Sequence, residues 1–339
     1  MDILLFQIPI ITFFQKLGPV FQSVMNVVNF FGDYGYYFLL VSVLYWIWDS
    51  KKAYIAAMVL LISAALTDFF KISYKSPRPY WVSDKVVPYK LKSTFGLPSD
   101  SAQISASLLS YLAKVTKRPW VSIVIIIVMI MLGIAGMALG LEFLTDVILG
   151  WLLGGLILLA FLAAFPIEYG ARNHFNLFQR ILSAFIFSIL LILPAWAARQ
   201  VDPNWLVPFE WNTRTPGIDS QSIETSIRAA GAWFGLSAGF AVISMTKGIM
   251  DSSSGSWVTK VLRVLVGSLG LVAIYFAASA ILPKTTGFIY TIAIYLTFAL
   301  ANYWTIDLAP RVFSLLGLCT FLRDEEENAP ILNKKAVYF

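Results

Sequence analysis

Lys71 and Arg78-Pro79, with six residues between them, are followed by Pro98-Ser99-Asp100-Ser101-Ala102 and then by Glu142-Phe143-Leu144-Thr145-Asp146. Lysine and arginine are the usual clamps for anions, arginine through a planar fork and lysine as a compact charge. The chemistry within reach of the first segment is therefore the holding of a phosphate. The other two segments oppose it. If Asp100, Glu142 and Asp146 all ionise against Lys71 and Arg78, the set carries about one net negative charge and repels a phosphate. Glu142 and Asp146 lie four apart, so on one helix they would share a face and raise each other's pKa unless a cation intervened. The same acids are oxygen donors of the kind that hold hard cations, but no diagnostic spacing marks such a site outside known loops. Neither a metal nor a cofactor is expected. The single histidine, His174, is far along the chain and falls in a loop assigned to the opposite face of the membrane.

The elements that must position these residues are membrane helices. At 339 residues, with 58% hydrophobic and 13% charged residues and a mean hydropathy of +0.75, the chain lies outside the range of soluble domains. It reads as an all-α polytopic membrane bundle. Apolar runs of spanning length fall near residues 34–48, 53–75, 101–115, 119–140, 143–166, 178–198, 224–248, 259–282 and 286–306, which makes about nine spans. The third contains Ser101, Gln103, Ser105, Ser107 and Ser110, which places it inside the bundle where its hydroxyls find partners. Before the first span, the acidic Asp2 argues against a signal peptide. Leu17-Gly18-Pro19, with Gln7, Gln15, Lys16 and Gln22, breaks the N-terminal segment into halves that lie along the interface or dip partway in. One cysteine, Cys319, allows no internal disulfide.

Loop charges orient the bundle. Lys51-Lys52, Lys114 with Lys117-Arg118, Arg172 and Arg180, Lys247 with Lys260 and Arg263, and Arg311, Arg323 and Lys334-Lys335 alternate onto one face, expected to be cytoplasmic. The loop with Lys71, Lys75, Arg78, Lys85, Lys90 and Lys92 breaks the pattern on the other face. It is either a phosphate-facing pocket or a loop whose charges are solvated or touch anionic head groups. Glycines four apart, Gly136 and Gly140, Gly150 and Gly154, and Gly231, Gly235 and Gly239, let helix backbones approach, within this bundle or against a neighbour. The polar stretch 199–221 carries Trp205 and Trp211, rings expected in the head-group belt or in a partner-binding loop. The divisions expected are an interfacial segment over 1–31, a membrane core over 32–166, further transmembrane helices over 167–320 and a cytoplasmic tail over 321–339.

The order and spacing of the three segments resemble the type 2 phosphatidic acid phosphatase family, in its glucose-6-phosphatase-like bacterial branch. That family's motifs read Lys-x6-Arg-Pro, Pro-Ser-Gly-His and Ser-Arg-x5-His-x3-Asp. Here the second-motif histidine position holds Ser101, the third-motif histidine position holds Glu142, and the Ser-Arg pair falls on Ala135-Gly136. The likeness is densest over residues 33–155 and extends to 231–240 and 308–313. As the resemblance implies, Lys71, Arg78 and Ser99 stand at phosphate-clamp positions and Asp146 at that of the acid that orients the nucleophilic histidine. Nothing stands at the positions of base or nucleophile. Asp100, Ser101 and Glu142 complete the outline of a vestigial phosphate pocket.

A catalytically inactive relative is expected from these departures, serving as a scaffold, an assembly subunit or a lipid-binding protein of the inner or plasma membrane. The rival is a lipid-phosphate or polyprenyl-diphosphate phosphatase acting from the external face. In that reading Glu142 is a carboxylate nucleophile, although such sites recruit a cation or metal to offset the incoming phosphate. Membrane lipids are the expected partners, with a membrane protein or larger complex beside them and no nucleic acid. The bland reading of the pocket is an internal salt-bridge network in which Asp100 and Glu142 replace phosphate opposite Lys71 and Arg78, with Asp68 as a helical partner of Lys71.

Overall fold

In hydrocarbon every backbone polar group needs an internal partner, and a single chain meets that demand by forming helices. The computed structural model describes residues 2–164, 175–284 and 286–322. His174 and Arg172 lie outside the described residues, as does the tail from Arg323 onward. The helices are α1 (Asp2–Leu5), α2 (Ile8–Gln15), α3 (Pro19–Phe30), α4 (Tyr34–Ile47), α5 (Ser50–Tyr74), α6 (Pro79–Val82), α7 (Asp100–Thr116), α8 (Pro119–Ala138), α9 (Leu144–Ala164), α10 (Leu177–Val201), α11 (Phe209–Arg214), α12 (Glu224–Thr246), α13 (Trp257–Ile281), α14 (Gly287–Tyr303) and α15 (Ala309–Leu315). A π turn, Trp304–Leu308, joins the last two. Two short strands, β1 (Ile249–Met250) and β2 (Phe321–Leu322), pair antiparallel.

Seven of these helical segments are long and apolar enough to cross a membrane: Ser50–Val82, Pro119–Ala138, Leu144–Ala164, Leu177–Val201, Glu224–Thr246, Trp257–Ile281 and Gly287–Leu315. The fold is an all-α polytopic membrane bundle. The other two expected runs are also helices, but shorter. α4 has 14 residues and α7 has 17, roughly 21 and 26 Å at 1.5 Å per residue. Ser101, Gln103, Ser105 and Ser107 of α7 are buried as their polarity requires, Gln103 donating to the Ser63 carbonyl at 2.7 Å, whereas Ser110 is only half-buried. The N-terminal pair Ile3–Gln15 and Pro19–Phe30 is bent by 109°.

The chain divides into two compact units, one comprising Met1–Leu40, Ala56–Ala171 and Ser188–Ala230, the other Val41–Ile55, Arg172–Phe187 and Gly231–Phe339. In the first, Ile8 and Ile11 of α2 enter one core with Trp81, Phe95, Met137, Phe143 and Trp211. The glutamines that interrupt the N-terminal apolar run fasten it. Gln7 accepts from the Thr145 amide at 3.0 Å, and Gln15 donates to the Val87 carbonyl at 2.8 Å and accepts from the Val87 amide at 3.1 Å. Gly150 and Gly154 of α9 lie directly against the backbone of α7.

In the second unit, Gly231 and Gly235 of α12 pack on the carbonyls of Tyr295 and Ala299 in α14. The recurring glycines named here thus serve contacts within the chain. Arg263, counted above among the loop charges that orient the bundle, is fully buried and donates to the carbonyls of Trp46, Ser252, Ser254 and Leu318. Within the π turn, the Thr305 carbonyl accepts from Trp46 Nε1 at 3.0 Å and the Ile306 carbonyl, whose i+4 residue is Pro310, accepts from Tyr45 Oη at 3.3 Å.

The stretch 199–221 departs from expectation. Trp205 and Trp211 do not stand free in a head-group belt. Trp211 is buried against Trp81 with centroids 6.0 Å apart, and Trp205 packs edge-on to Phe95 at 5.5 Å. Lys75 to Asp202 at 2.6 Å, Arg214 to Asp84 at 2.8 Å and the Asp219 amide to Ser93 O at 2.9 Å tie the stretch down as a strap. Tryptophan composition is the same for an aromatic belt and for a lid over a loop, and tertiary packing chooses between them.

Candidate functional site

The site is built where α5 ends, where α7 and α9 begin and where the loop 83–99 folds back. Lys71, in the last turn of α5, is buried and reaches Asp100 Oδ1 at 2.7 Å and Thr94 Oγ1 at 3.3 Å. Lys92 approaches the other Asp100 oxygen at 3.5 Å. Asp100 is the first residue of α7, where helix-terminal amides also favour an anion. Burial works to raise its pKa, and the charges of Lys71, Lys92 and Arg78 overcome that and hold the carboxyl well below the usual range. A depressed carboxylate contributes stability that is complete above about pH 4 and fades as pH falls further. The gap in melting temperature between wild type and Asp100→Asn should be constant from about pH 5 to 8 and narrow only in stronger acid. A gap already closed at the upper end of that window would place Asp100 outside the network.

Arg78 precedes α6 and is completely buried. Its fork is spent on backbone: Nε to Thr94 O at 2.7 Å, Nη1 to Leu141 O at 2.9 Å and Nη2 to Phe95 O at 2.9 Å, with Thr94 Oγ1 at 3.4 Å. It forms no ion pair among the described residues, so the expected pairing with Asp100 or Glu142 is not made. Ser99 caps α7, accepting from the Ala102 amide at 3.2 Å, and its own amide donates to Asp146 O at 3.0 Å. Ser101 Oγ lies 3.3 Å from Ser99 Oγ.

Asp146, in the first turn of α9, turns back to accept from the Phe143 amide at 2.8 Å. With no imidazole beside it, this carboxylate does the work of a helix cap. Its Oδ1 is buried without a hydrogen-bond partner. Glu142 corrects the expectation that it shares a helical face with Asp146, because α9 starts at Leu144 and Glu142 lies in the preceding turn. It is 2% exposed, and its Oε2 is buried with no hydrogen-bond partner. The carboxylate lies over Gly136, where a Cβ would stand 2.5 Å from Oε2. Ala135 and Gly136 sit buried in the last turn of α8. The space that a side chain at 136 would use is filled by Glu142.

Of the expected salt-bridge network, Lys71 with Asp100 is present and Glu142 is outside it. Asp68 is corrected too: its Oδ2 accepts from the amide and hydroxyl of Ser226 at 2.8 and 3.1 Å, capping α12 from a neighbouring helix rather than pairing with Lys71. Among the described residues no group of three or more acids, histidines or cysteines is placed to hold a metal. Three contributors were not singled out as site residues by the sequence. Thr94 stands between Lys71 and Arg78, Lys92 joins Asp100, and Gly96 lets the loop pass against Asp146, where a Cβ would meet Oδ2 at 2.9 Å. Only Lys92 carried a signal, as one member of the anomalous basic cluster.

Comparison with known families gives two matches. Residues 52–169 match the PAP2 superfamily, and residues 227–321 match the PAP2 superfamily phosphatase transmembrane extension. The first contains Lys71, Arg78, Ser99, Asp100, Ser101, Glu142 and Asp146, and the two together span more than half of the chain. No curated protein and no solved structure matches it.

Proposed function

We propose that this chain, a membrane protein with a PAP2 superfamily domain and that superfamily's transmembrane extension, is a catalytically inactive relative in the glucose-6-phosphatase-like branch. It works by association, as a scaffold, an assembly subunit or a lipid-binding protein of the cell membrane. One observation carries this reading: at the third-motif histidine position stands Glu142, with its carboxylate folded onto Gly136. A phosphoryl-transfer site needs a nucleophile and preorganised positive charge around the oxygens in flight. Here Asp100 already occupies Lys71, and three carbonyls occupy Arg78.

The rival phosphatase reading draws on the partnerless Oε2 of Glu142 as a carboxylate nucleophile. Purified protein given phosphatidic acid or polyprenyl diphosphate, with and without divalent ions, should release no phosphate. Release that disappears in Glu142→Ala would establish the rival. Glu142→His alone should remain inactive, since Ser101 and Gly136 are unchanged.

The orientation we infer puts the N-terminus and motif loops outside and the C-terminus in the cytoplasm, on the bias of loop lysines and arginines. Bonds from Gln7 to Thr145 and from Gln15 to Val87 support keeping the N-terminal helices on the motif side. Single cysteines at Asp84 and Glu326, in a background lacking Cys319, should label from opposite sides of the membrane. Labelling of both from one side would overturn the orientation.

A further inference from the structure

The basic cluster that breaks the loop-charge pattern falls into two parts. Lys71, Lys75, Arg78 and Lys92 are taken by Asp100, Asp202 and backbone carbonyls. Lys85 is exposed and Lys90 half-buried, and neither pairs with an acid among the described residues. The same holds for Lys16, exposed at the bend between α2 and α3. That bend and the loop form one surface. Gln15 exchanges two hydrogen bonds with Val87, at 2.8 and 3.1 Å. Gly140, at a φ of 74°, lets both segments close over it, since a Cβ there would stand 2.8 Å from Val86 Cγ1 and 3.1 Å from Gln15 Nε2.

The end of α8 fixes the depth of this surface. Gln15 also donates to Ala138 O at 3.3 Å, and the Tyr89 amide donates to Leu139 O at 3.2 Å. Ala138 is the last residue of a membrane span, so the surface lies where the chain leaves the hydrocarbon. Phe13, Leu17, Val87 and Tyr89 are exposed there, beside Lys16, Lys85 and Lys90. Apolar side chains at that depth enter the acyl boundary, and lysines place their charge among the head groups. Nothing local compensates that charge. Residues 8–30 and 85–99 contain no acid, and Asp84 is held by Arg214. We infer that this surface docks the head groups of anionic phospholipid in the leaflet on the motif side. An acidic protein would satisfy the lysines equally, but it would have to strip lipid from the apolar side chains between them. The inference rests on the reading above in taking lipid as a partner, and it does not need the motif pocket to be inactive.

The test uses the full chain with Cys319→Ser and Leu91→Cys, reconstituted in phosphatidylcholine vesicles, with a fluorophore on the new cysteine. Leu91 is exposed and adjoins Lys90. Trace phosphatidylglycerol or phosphatidylcholine, each bearing the same nitroxide-labelled acyl chain, quenches the fluorophore only from nearby. With the tails matched, the ratio of the two reports head-group enrichment at this surface. At low ionic strength phosphatidylglycerol should be enriched at least about fivefold, the effect of a single lysine at an anionic lipid. Salt of about 1 M, where the screening length is about 3 Å, should bring the ratio to one. A triple variant, Lys16→Gln, Lys85→Gln and Lys90→Gln, should begin near one. Should that variant fail to fold, the salt titration of the labelled parent decides alone. Equal quenching by the two lipids at low salt overturns the surface and leaves the lysines to water or an acidic protein. Enrichment that survives both high salt and the triple variant overturns its charge origin. Phosphate released from phosphatidic acid by the same protein would refute the inactive reading and leave the surface intact, whereas equal quenching without release would do the reverse.

Discussion

Arg78→Ala lowers stability in detergent by about 3–5 kcal/mol, because the cost is set by the acceptors left behind rather than by a lost ion pair. The guanidinium is fully buried and serves Thr94 O, Phe95 O and Leu141 O together. Each buried carbonyl deprived of its donor costs about 1–3 kcal/mol, and the lower part of the summed range applies where water can enter the vacated space. Arg78→Lys should recover only part of the loss, since a single ammonium cannot reproduce a fork aimed at three carbonyls. Denaturation of wild type, Arg78→Lys and Arg78→Ala should rank in that order. An Arg78→Ala protein that melts with wild type would show that the three carbonyls find other donors at no cost.

Gly154→Ala and Gly155→Ala, one residue apart on α9, should differ sharply. A Cβ at Gly154 would overlap the Gln103 carbonyl oxygen on α7 and stand 2.8 Å from Ala106 Cβ, whereas at Gly155 it meets nothing within 4 Å. Backbone cannot swing aside as a side-chain tip can, so the first substitution forces α7 and α9 apart at a cost of about 1–3 kcal/mol or more. The second replaces glycine by a better helix former and should be neutral or stabilising by up to about 1 kcal/mol. Because α7 carries Ser99, Asp100 and Ser101 at its start, Gly154→Ala should also disturb the Lys71 to Asp100 pair and so flatten the acid-side pH dependence. Equal melting of the two variants would place the α7 to α9 contact elsewhere.

The helical bundle was legible because apolar runs of spanning length admit little else. The resemblance of three motifs to a phosphatase family, rather than anything in the single residues, singled out Lys71, Arg78, Ser99 and Asp146. What spacing could not supply was the identity of the partners. Arg78 binds the carbonyls of Thr94, Phe95 and Leu141, groups every residue possesses, so no residue type announces them. Glu142 and Asp146 stand four apart, but α9 begins between them at Leu144, and a helix start set by the Asp146 cap moves Glu142 off the face that the interval implied. Arg263 and Trp211 looked like surface residues by type and position, yet both are buried by contacts distant in sequence. The bonds from Gln7 to Thr145 and from Gln15 to Val87 join residues more than 70 apart, beyond any periodicity.

Because the Glu142 carboxylate lies within the reach of a side chain at Gly136, the two positions are energetically one variable. An arginine introduced at 136 meets a buried acid that has no other partner, so its charge is neutralised locally instead of being offered to a ligand. A histidine introduced at 142 faces a glycine and gains no neighbouring cation. Contacting residues give coupling terms of about 0.5–3 kcal/mol in double-substitution cycles, and this pair should fall toward the upper end. Substituting one residue at a time therefore reports each position only in the presence of its unchanged neighbour, and the combined substitution is needed to separate the two contributions. Recovery of a positive pocket is a two-step move with no gain at the first step.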